Sequence, residues 1–536
     1  VIEAPQPQGD QPTQYLPAGP ADPLIFEAFE GINTATTRPG VDDKQSPWLD
    51  GFMPLGPGRN LRTMWGVGPA LFTPPDGISH VSFFDFFNIG TTPYMLVVTN
   101  FGAIYAVNTN TGVSNLIAVG GTISNPSRST VGLAQYGSKY VLIIAFQTNG
   151  YFAWDGTTFY SPGGAPLAGN QLPLGIAGTA IEIYAGRVWI AEGPTITYSA
   201  PGSVTDFSSA NGGGNFTSSD SFLRVGFTQL KQTNGFLYLI ADSSINYISG
   251  VQTSGSPPVT TFTNQNADPE VGSAWASTVD VFSRNILFAN AFGVHVSYGG
   301  AVTKISEALD GIYNTVPNFG NITPSAGKAI IFGKKCWVVL LPIIDPIKAQ
   351  QVNKLLLWNG KIWWASEQDV PLIYIQHQEI KSIISCYGTD GSSIYPLFAR
   401  PSTAFQKTAQ SKLWDKPGGY QLTKFVTRLW GIVQFYSGLS PTINVSIDNE
   451  TGSNTNPTIV VPKVISWVNN SGQIVAWLNN LGAAIQWQSN GGGYSVLAPD
   501  AVAQNGALTG FTISTNAADM AIVSMMIKAE IAGYRG

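Results

Sequence analysis

The chain has 536 residues, with 27 Lys and Arg against 32 Asp and Glu, so only 11% of its side chains are charged and the net charge is -5; soluble domains usually carry roughly one quarter charged residues. A hydrophobic content of 44% with 12% aromatics excludes a disordered chain, which needs low hydrophobicity and high net charge. Apolar stretches such as residues 140–146 fall far short of the ~20 residues that span a bilayer, so no membrane span is expected.

Residues 1–23 hold six prolines and four glutamines and read as an extended arm, without the basic start and apolar core of a secretory signal. Residues 24–77 show no regular strand spacing and are expected to pack with the C-terminal part of the chain. From 78 to 400, short apolar runs alternate with Gly, Asn and Asp turns, which is the signature of β-hairpins. The paired runs are 94–100 with 103–108, 140–146 with 151–154, 181–191 with 195–199, and 236–241 with 245–249. Three more follow: 286–290 with 294–298, 336–341 with 355–358, and 382–387 with 392–397.

Turns near residues 101, 149, 193, 243 and 292 lie about 44 to 50 residues apart, close to the length of one propeller blade. A four-stranded blade cannot cover both its faces alone, and stacking blades in a ring does so while leaving only short edges. Interior strands covered on both sides need no charged face, which accounts for the low charge content. The fold expected is therefore all-β: a β-propeller of six or seven blades over 78–400, with a β-rich platform or sandwich domain formed from 24–77 and 401–536. Within 401–536, residues 420–436, 442–447 and 519–531 read as long strands. Residues 449–456 and 489–493 read as polar loops. Aromatic-Asp-Gly and aromatic-Asn-Gly pairs at Trp154-Asp155-Gly156 and Trp358-Asn359-Gly360 read as turn and packing devices, as does Tyr298-Gly299-Gly300.

Little in the chain points to catalysis. His80, His295 and His377 lie in separate segments without ligand spacing, and a His in an apolar strand is ordinarily a structural residue. Asp242 and Asp390 sit beside turns, where Asp has a local backbone role. Asp85 and Glu182 lie in apolar runs with no evident partner. The run Asn211-Gly212-Gly213-Gly214-Asn215 lacks the strand-to-helix setting and the Lys of a phosphate loop, and with 490–493 it reads as a mobile loop tip. Residues 388–391 offer one carboxylate, too few for calcium. Two cysteines, Cys336 and Cys386, rule out a disulfide scaffold or zinc ribbon and read as buried thiols. No enzyme activity, cofactor or metal is expected. Lys and Arg are dispersed and the pI is near 5.3, so there is no basic stripe for tight duplex binding.

One arrangement carries family information. Glu30-Gly31-Ile32-Asn33-Thr34, Arg38-Pro39-Gly40, Trp48-Leu49-Asp50-Gly51-Phe52 and Gly58-Arg59-Asn60-Leu61-Arg62-Thr63-Met64-Trp65-Gly66 resemble the opening of phage tail proteins. Gly186-Arg187-Val188-Trp189-Ile190-Ala191, with Ile196-Thr197-Tyr198-Ser199-Ala200-Pro201-Gly202, is similar to the blade phrase of tail nozzle or hub (tail tubular) proteins of short-tailed bacteriophages. The stretch from Phe236 to Ile245, Phe292-Gly293-Val294 and Lys304-Ile305-Ser306 continue in the same order. The resemblance covers residues 30 to 310; the C-terminal third matches only in texture.

The resemblance implies a structural virion protein of the tail: a ring of six identical subunits below the portal and adaptor, also meeting tail fibre or needle proteins. DNA would pass through the ring without tight binding. Trp48, Trp65 and Trp414 are candidate subunit or partner contacts, weighed against an ordinary core role. The alternative is a propeller-type glycan-binding protein or glycan-active enzyme, since 14 Trp and 20 Tyr supply stacking surfaces. A secreted hydrolase working through Asp85 or Asp390 ranks below both.

Overall fold

A computed structural model describes residues 22–534 except 27–29, 56–59, 124–128, 137–138, 147–149, 219–225, 314–323, 381, 437–441, 456–457, 461–466, 469–473, 476, 479–483, 486–493 and 501–503. Most of the arm at 1–23, the turn at 148–149 and the loop at 489–493 lie outside the described residues.

The chain is an all-β propeller joined to a β-rich platform. Among the described residues the ring has seven blades, spanning 81–118, 129–160, 180–217, 227–268, 280–304, 325–366 and 374–396. The first six are antiparallel meanders of four strands, each running outward from the channel. Inner strands of successive blades pack side by side, and the inner strand of blade 7 (Tyr374–Ile380) packs against that of blade 1 (Val81–Ile89). Blade 7 has three strands of its own. Its outer edge is completed by residues 66–72: Ile394 N–H donates to the Phe72 carbonyl (2.9 Å), and Gly68 N–H donates to that of Pro396 (2.8 Å). Part of the segment preceding the ring thus closes it.

The middle strands form where the sequence is continuously apolar. In blade 2, Val141 through Phe146 are all fully buried, as are Cys336 through Leu341 in blade 6. Both faces of these strands meet a neighbouring blade, so the usual alternation of apolar and polar positions disappears. Each such side chain contributes roughly 1.5 to 3 kcal/mol through burial. The run at 181–191, expected as one strand, is instead a hairpin of Ala180–Tyr184 and Arg187–Glu192. Its turn residues Ala185 and Gly186 have φ of 50° and 69°. Two positive φ values match the twist of the flanking strands. The same device joins the first two strands of blades 4, 5 and 6 at Asn234-Gly235, Ser283-Arg284 and Phe332-Gly333.

The expected turn devices are present. Asp155 accepts from the N–H groups of Thr157 and Thr158, and Asn359 from those of Lys361 and Ile362. Asp390 accepts from Ser392 and Ser393 and faces the Tyr395 hydroxyl at 3.4 Å. One expectation is corrected: the Asn211–Asn215 loop is tied down, because the buried Arg187 guanidinium donates to the carbonyls of Ser199 (2.6 Å) and Gly212 (2.7 Å) and to Thr260 Oγ1 (2.8 Å).

Among the described residues the platform has two large sheets. One contains Leu422–Phe435 paired along its length with Met520–Tyr534, which also pairs with Leu24–Phe26 and Leu61–Thr63. The other is continuous with blade 6. The outer strand of that blade, Trp363–Ser366, pairs in parallel with Leu49–Asp50, which pairs in turn with Lys407–Gln410. Gly510–Thr515 and Thr442–Asn449 follow in the same sheet. Blade 6 therefore has no free outer edge, and a single hydrophobic core runs from blades 5 and 6 into the platform. Ionic groups brace the platform beside this seam. Arg62 pairs with Asp519 at 3.2 Å through two nitrogens while its guanidinium lies 4.0 Å from the Phe332 ring centre. Arg38 pairs with Asp448 at 2.5 Å.

Candidate functional site

The inner strand of every blade is paired on one side only, so part of its backbone faces the channel without a strand partner. A buried N–H left unsatisfied costs roughly 1 to 3 kcal/mol. Five inner strands solve this in the same way. A side-chain oxygen bends back to accept from the N–H of the next residue: Asp85 from Phe86 (2.8 Å), Glu182 from Ile183 (3.0 Å), Gln229 from Leu230 (3.0 Å), Asp280 from Val281 (2.7 Å) and Gln376 from His377 (2.9 Å). These carboxylates and carboxamides, from blades 1, 3, 4, 5 and 7, line a cavity of about 710 Å³ on the propeller axis.

The wall of this cavity divides electrostatically. On blades 5 to 7 the charges pair: Lys328 Nζ lies 3.7 Å from Asp280 and 3.5 Å from Glu379, and donates to the Val281 carbonyl at 3.1 Å. His377 Nδ1 lies 3.5 Å from Asp280 Oδ2. Burial works against ionised Asp280, but His377, Lys328 and Lys231 outweigh it and hold the carboxyl below its ordinary range. Burial pushes His377 down to about 4 despite the adjoining Asp280, with Lys328 and Lys231 acting in the same direction. The imidazole is therefore neutral at pH 7.

On blades 1, 3 and 4 the charges do not pair. Asp85, Glu182 and Lys231 all line the cavity, yet among the described residues Lys231 makes no hydrogen bond and no ion pair within 4.0 Å. Burial raises Asp85 to about 6, with Lys231 opposing the shift. Glu182 is raised by burial and likewise opposed by Lys231. Their side chains hang from strands well separated in sequence, and only ring closure brings them together.

The other sequence candidates fall elsewhere. Trp48 and Trp414 are core side chains, 1% and 3% exposed. Trp48 lies under the Lys354 ammonium and Trp414 against Phe511, so neither ring is available as a surface anchor, which corrects that expectation. Trp65 is partly exposed at the seam, edge-on to Phe332 at 5.5 Å. His80 is exposed, and His295 stacks on Phe288 at 5.5 Å with its Nδ1 buried and unpartnered. Cys336 and Cys386 are buried free thiols, and burial pushes Cys336 up to about 12. Asp242 lines the cavity. Three carboxylates, Asp50, Asp345 and Glu367, converge closely enough to hold a metal ion, but the Lys354 ammonium occupies their centre at 2.7, 3.0 and 2.7 Å.

The fold and channel define the class: an all-β propeller carrying a β-rich platform. No protein-family model matches the chain, and no curated protein matches it by sequence. Among solved structures it is similar to BBS1N in complex with ARL6DN, at 8% identity and a TM-score of 0.37, over 62% of this chain and 97% of that one. RRP9 WD40 repeats give 7% identity and a TM-score of 0.37, over 63% and 99% of the two chains. Raptor from Chaetomium thermophilum gives 10% and 0.34, over 62% of this chain and 29% of that one. Likenesses this distant carry no argument about what the chain binds.

Proposed function

We propose that this protein is a structural subunit of the tail of a short-tailed bacteriophage, a nozzle or hub that assembles as a ring of six copies below the portal and adaptor. The observation that carries the reading is the ordered series of phrases between residues 30 and 310 that resemble tail nozzle proteins. Three features of the chain support it. The segment holding the first phrases is tied to the platform through Arg38 and Arg62 and to the propeller through Asp50, which suits a subunit that must hold its shape in a tube wall. The outer edge strand of blade 1, Ser114–Ala118, and its surroundings expose Phe101, Val113, Leu116 and Val119, apolar surface suited to contact with a second copy. A low and mildly negative charge also lets DNA pass without being held.

Light scattering and negative-stain microscopy of the purified chain, alone and with a portal–adaptor assembly, test this reading. A six-fold ring in either sample is the expected result; a monomer in both removes it. Tight, salt-sensitive duplex affinity in a filter-binding assay would count against a passive conduit. Specific sugar binding by isolated subunits on a glycan array would favour a lectin instead.

A further inference from the structure

We infer that copies of this chain meet end to end: basic turns of blades 5 and 6, at one end of the propeller, dock on acidic loops of blades 3 to 5 at the other end of a second copy. The inference deepens the reading of a ring of identical copies; it rests on their association but on no particular number of them.

In a four-stranded antiparallel meander the first and third turns lie at one end of the blade, and the second turn lies at the other end with the link to the next blade. At the first end, blades 5 and 6 present Arg284, Lys334, Lys335 and Lys361, all exposed. Packing beneath them draws them together. The Lys335 ammonium lies 5.5 Å from the Phe282 ring centre, and that ring packs at 5.9 Å on Trp358, whose strand runs into the turn carrying Lys361. The stretches involved, 283–284, 298–301, 332–335 and 359–362, contain no carboxylate. At the second end, Glu192, Asp242, Asp268 and Glu270 stand on loops of blades 3 and 4, and the stretches 192–194, 242–244, 268–272 and 290–293 contain no Lys or Arg. The last three of these are tied together: Ser273 N–H donates to the Ala241 carbonyl (2.7 Å), and Asn290 Nδ2 to that of Gly272 (2.9 Å). Among the described residues none of these eight charges joins an ion pair.

Each patch also holds an exposed aromatic ring. Phe292, 79% exposed, stands on the second turn of blade 5 beside the carboxylates; Tyr298, 61% exposed, stands at the same end of that blade as Arg284. Exposed ion pairs contribute little individually, so the rings anchor the contact while the charges steer and orient it. The two patches lie at opposite ends of one propeller and cannot meet within a subunit. A polyanion would cover only the basic end, and a basic protein only the acidic end; a second copy covers both. Like ends repel, so the contact runs head to tail and either closes into a ring or continues as a filament.

Sedimentation velocity on the full chain tests the contact. At low salt the unaltered protein is expected to associate below about 100 μM, and about 1 M salt, which cuts the screening length to about 3 Å, should weaken association at least ~10-fold. Lys334→Glu with Lys335→Glu in one chain, and Glu192→Lys with Glu270→Lys in another, should each weaken self-association at least ~10-fold. Mixing the two variants should restore it, because each supplies the end the other has lost. A monomer at about 100 μM and low salt, association indifferent to salt, a variant that associates like the native chain, or a mixture of folded variants that does not recover would overturn the proposal. The salt series uses the unaltered protein, so the test survives a variant that fails to fold. Assembly that persists in both variants keeps the ring of identical copies and removes this contact. Recovery on mixing in complexes that do not number six keeps the contact and removes the ring of six.

Discussion

The Lys354 ammonium lies 2.7 Å from Asp50 Oδ2, joining blade 6 to a strand that precedes the whole ring, with the two side chains 0% and 4% exposed. Burial opposes the charged lysine, but Asp50, Glu367 and Asp345 outweigh it and hold its pKa above the ordinary range. The residue acts as the fixed cation of a three-carboxylate cluster. Replacing it with methionine strands those carboxylates in a dry seam, and Lys354→Met is expected to lose about 3 to 5 kcal/mol of stability. Urea denaturation measures the loss. Adding Asp50→Asn to the same chain should restore part of it, since one uncompensated charge is then removed.

Arg187 plays a comparable part within the ring, being 2% exposed and bonded to the Ser199 and Gly212 carbonyls and to Thr253 and Thr260. Arg187→Leu leaves these acceptors without a donor and should cost about 2 to 4 kcal/mol. Hydrogen exchange should rise selectively at residues 211–215, which Arg187 pins. Arg187→Lys should recover little, since one ammonium cannot reproduce the planar fork.

Asp85 gives the channel a pH dependence of known sign. Its folded pKa, about 6, lies above the model-compound value of 3.8. The unfolded chain therefore ionises first as pH rises. The associated stability is fully present below pH 3.8 and is lost as pH passes through about 6, amounting to up to about 3 kcal/mol. Asp85→Asn keeps an oxygen for the Phe86 N–H, so it should be more stable than the native chain at pH 8, with the advantage gone at pH 3.5. Thermal melts across that range read the difference directly.

His377 tilts the profile the other way. Its folded pKa of about 4 lies below 6.5. Stability from the neutral imidazole is present above pH 6.5 and lost as pH falls through 4, again by up to about 3 kcal/mol. The groups facing it are Asp280 on blade 5, Lys328 on blade 6, Lys231 on blade 4 and Glu379 on its own strand. His377→Gln should flatten the acid limb of the stability curve while leaving pH 8 nearly unchanged; an unaltered acid limb would remove His377 as its cause.

Much of the architecture is legible in the chain itself. Strands sandwiched between blades must be apolar throughout, so runs such as 140–146, 236–241 and 336–341 announce themselves, and their turns recur once per blade. The long platform strands Leu422–Phe435 and Met520–Tyr534 are equally plain. The inner strands are not. Val81–Ile89 and Phe227–Thr233 mix aromatics with polar groups, because one side meets a blade and the other meets the channel, and neither a periodic nor an apolar pattern results. Turns at Ala185-Gly186 and Ser283-Arg284 lack the usual Asn-Gly signal, which hides the hairpins that join those inner strands to the rest.

Local pattern thus determined the strand material, its low charge and its turns, since each depends on neighbours within a few residues. Tertiary structure alone decided the number of blades, the use of residues 66–72 to close the ring and the merging of blade 6 with the platform. It also decided that Asp85, Glu182, Lys231 and His377 share one cavity. The reason is geometric: closing a ring brings the same edge of every blade to a common axis, whatever the distance along the chain, and no local feature of an Asp in an apolar strand records what lies across that axis.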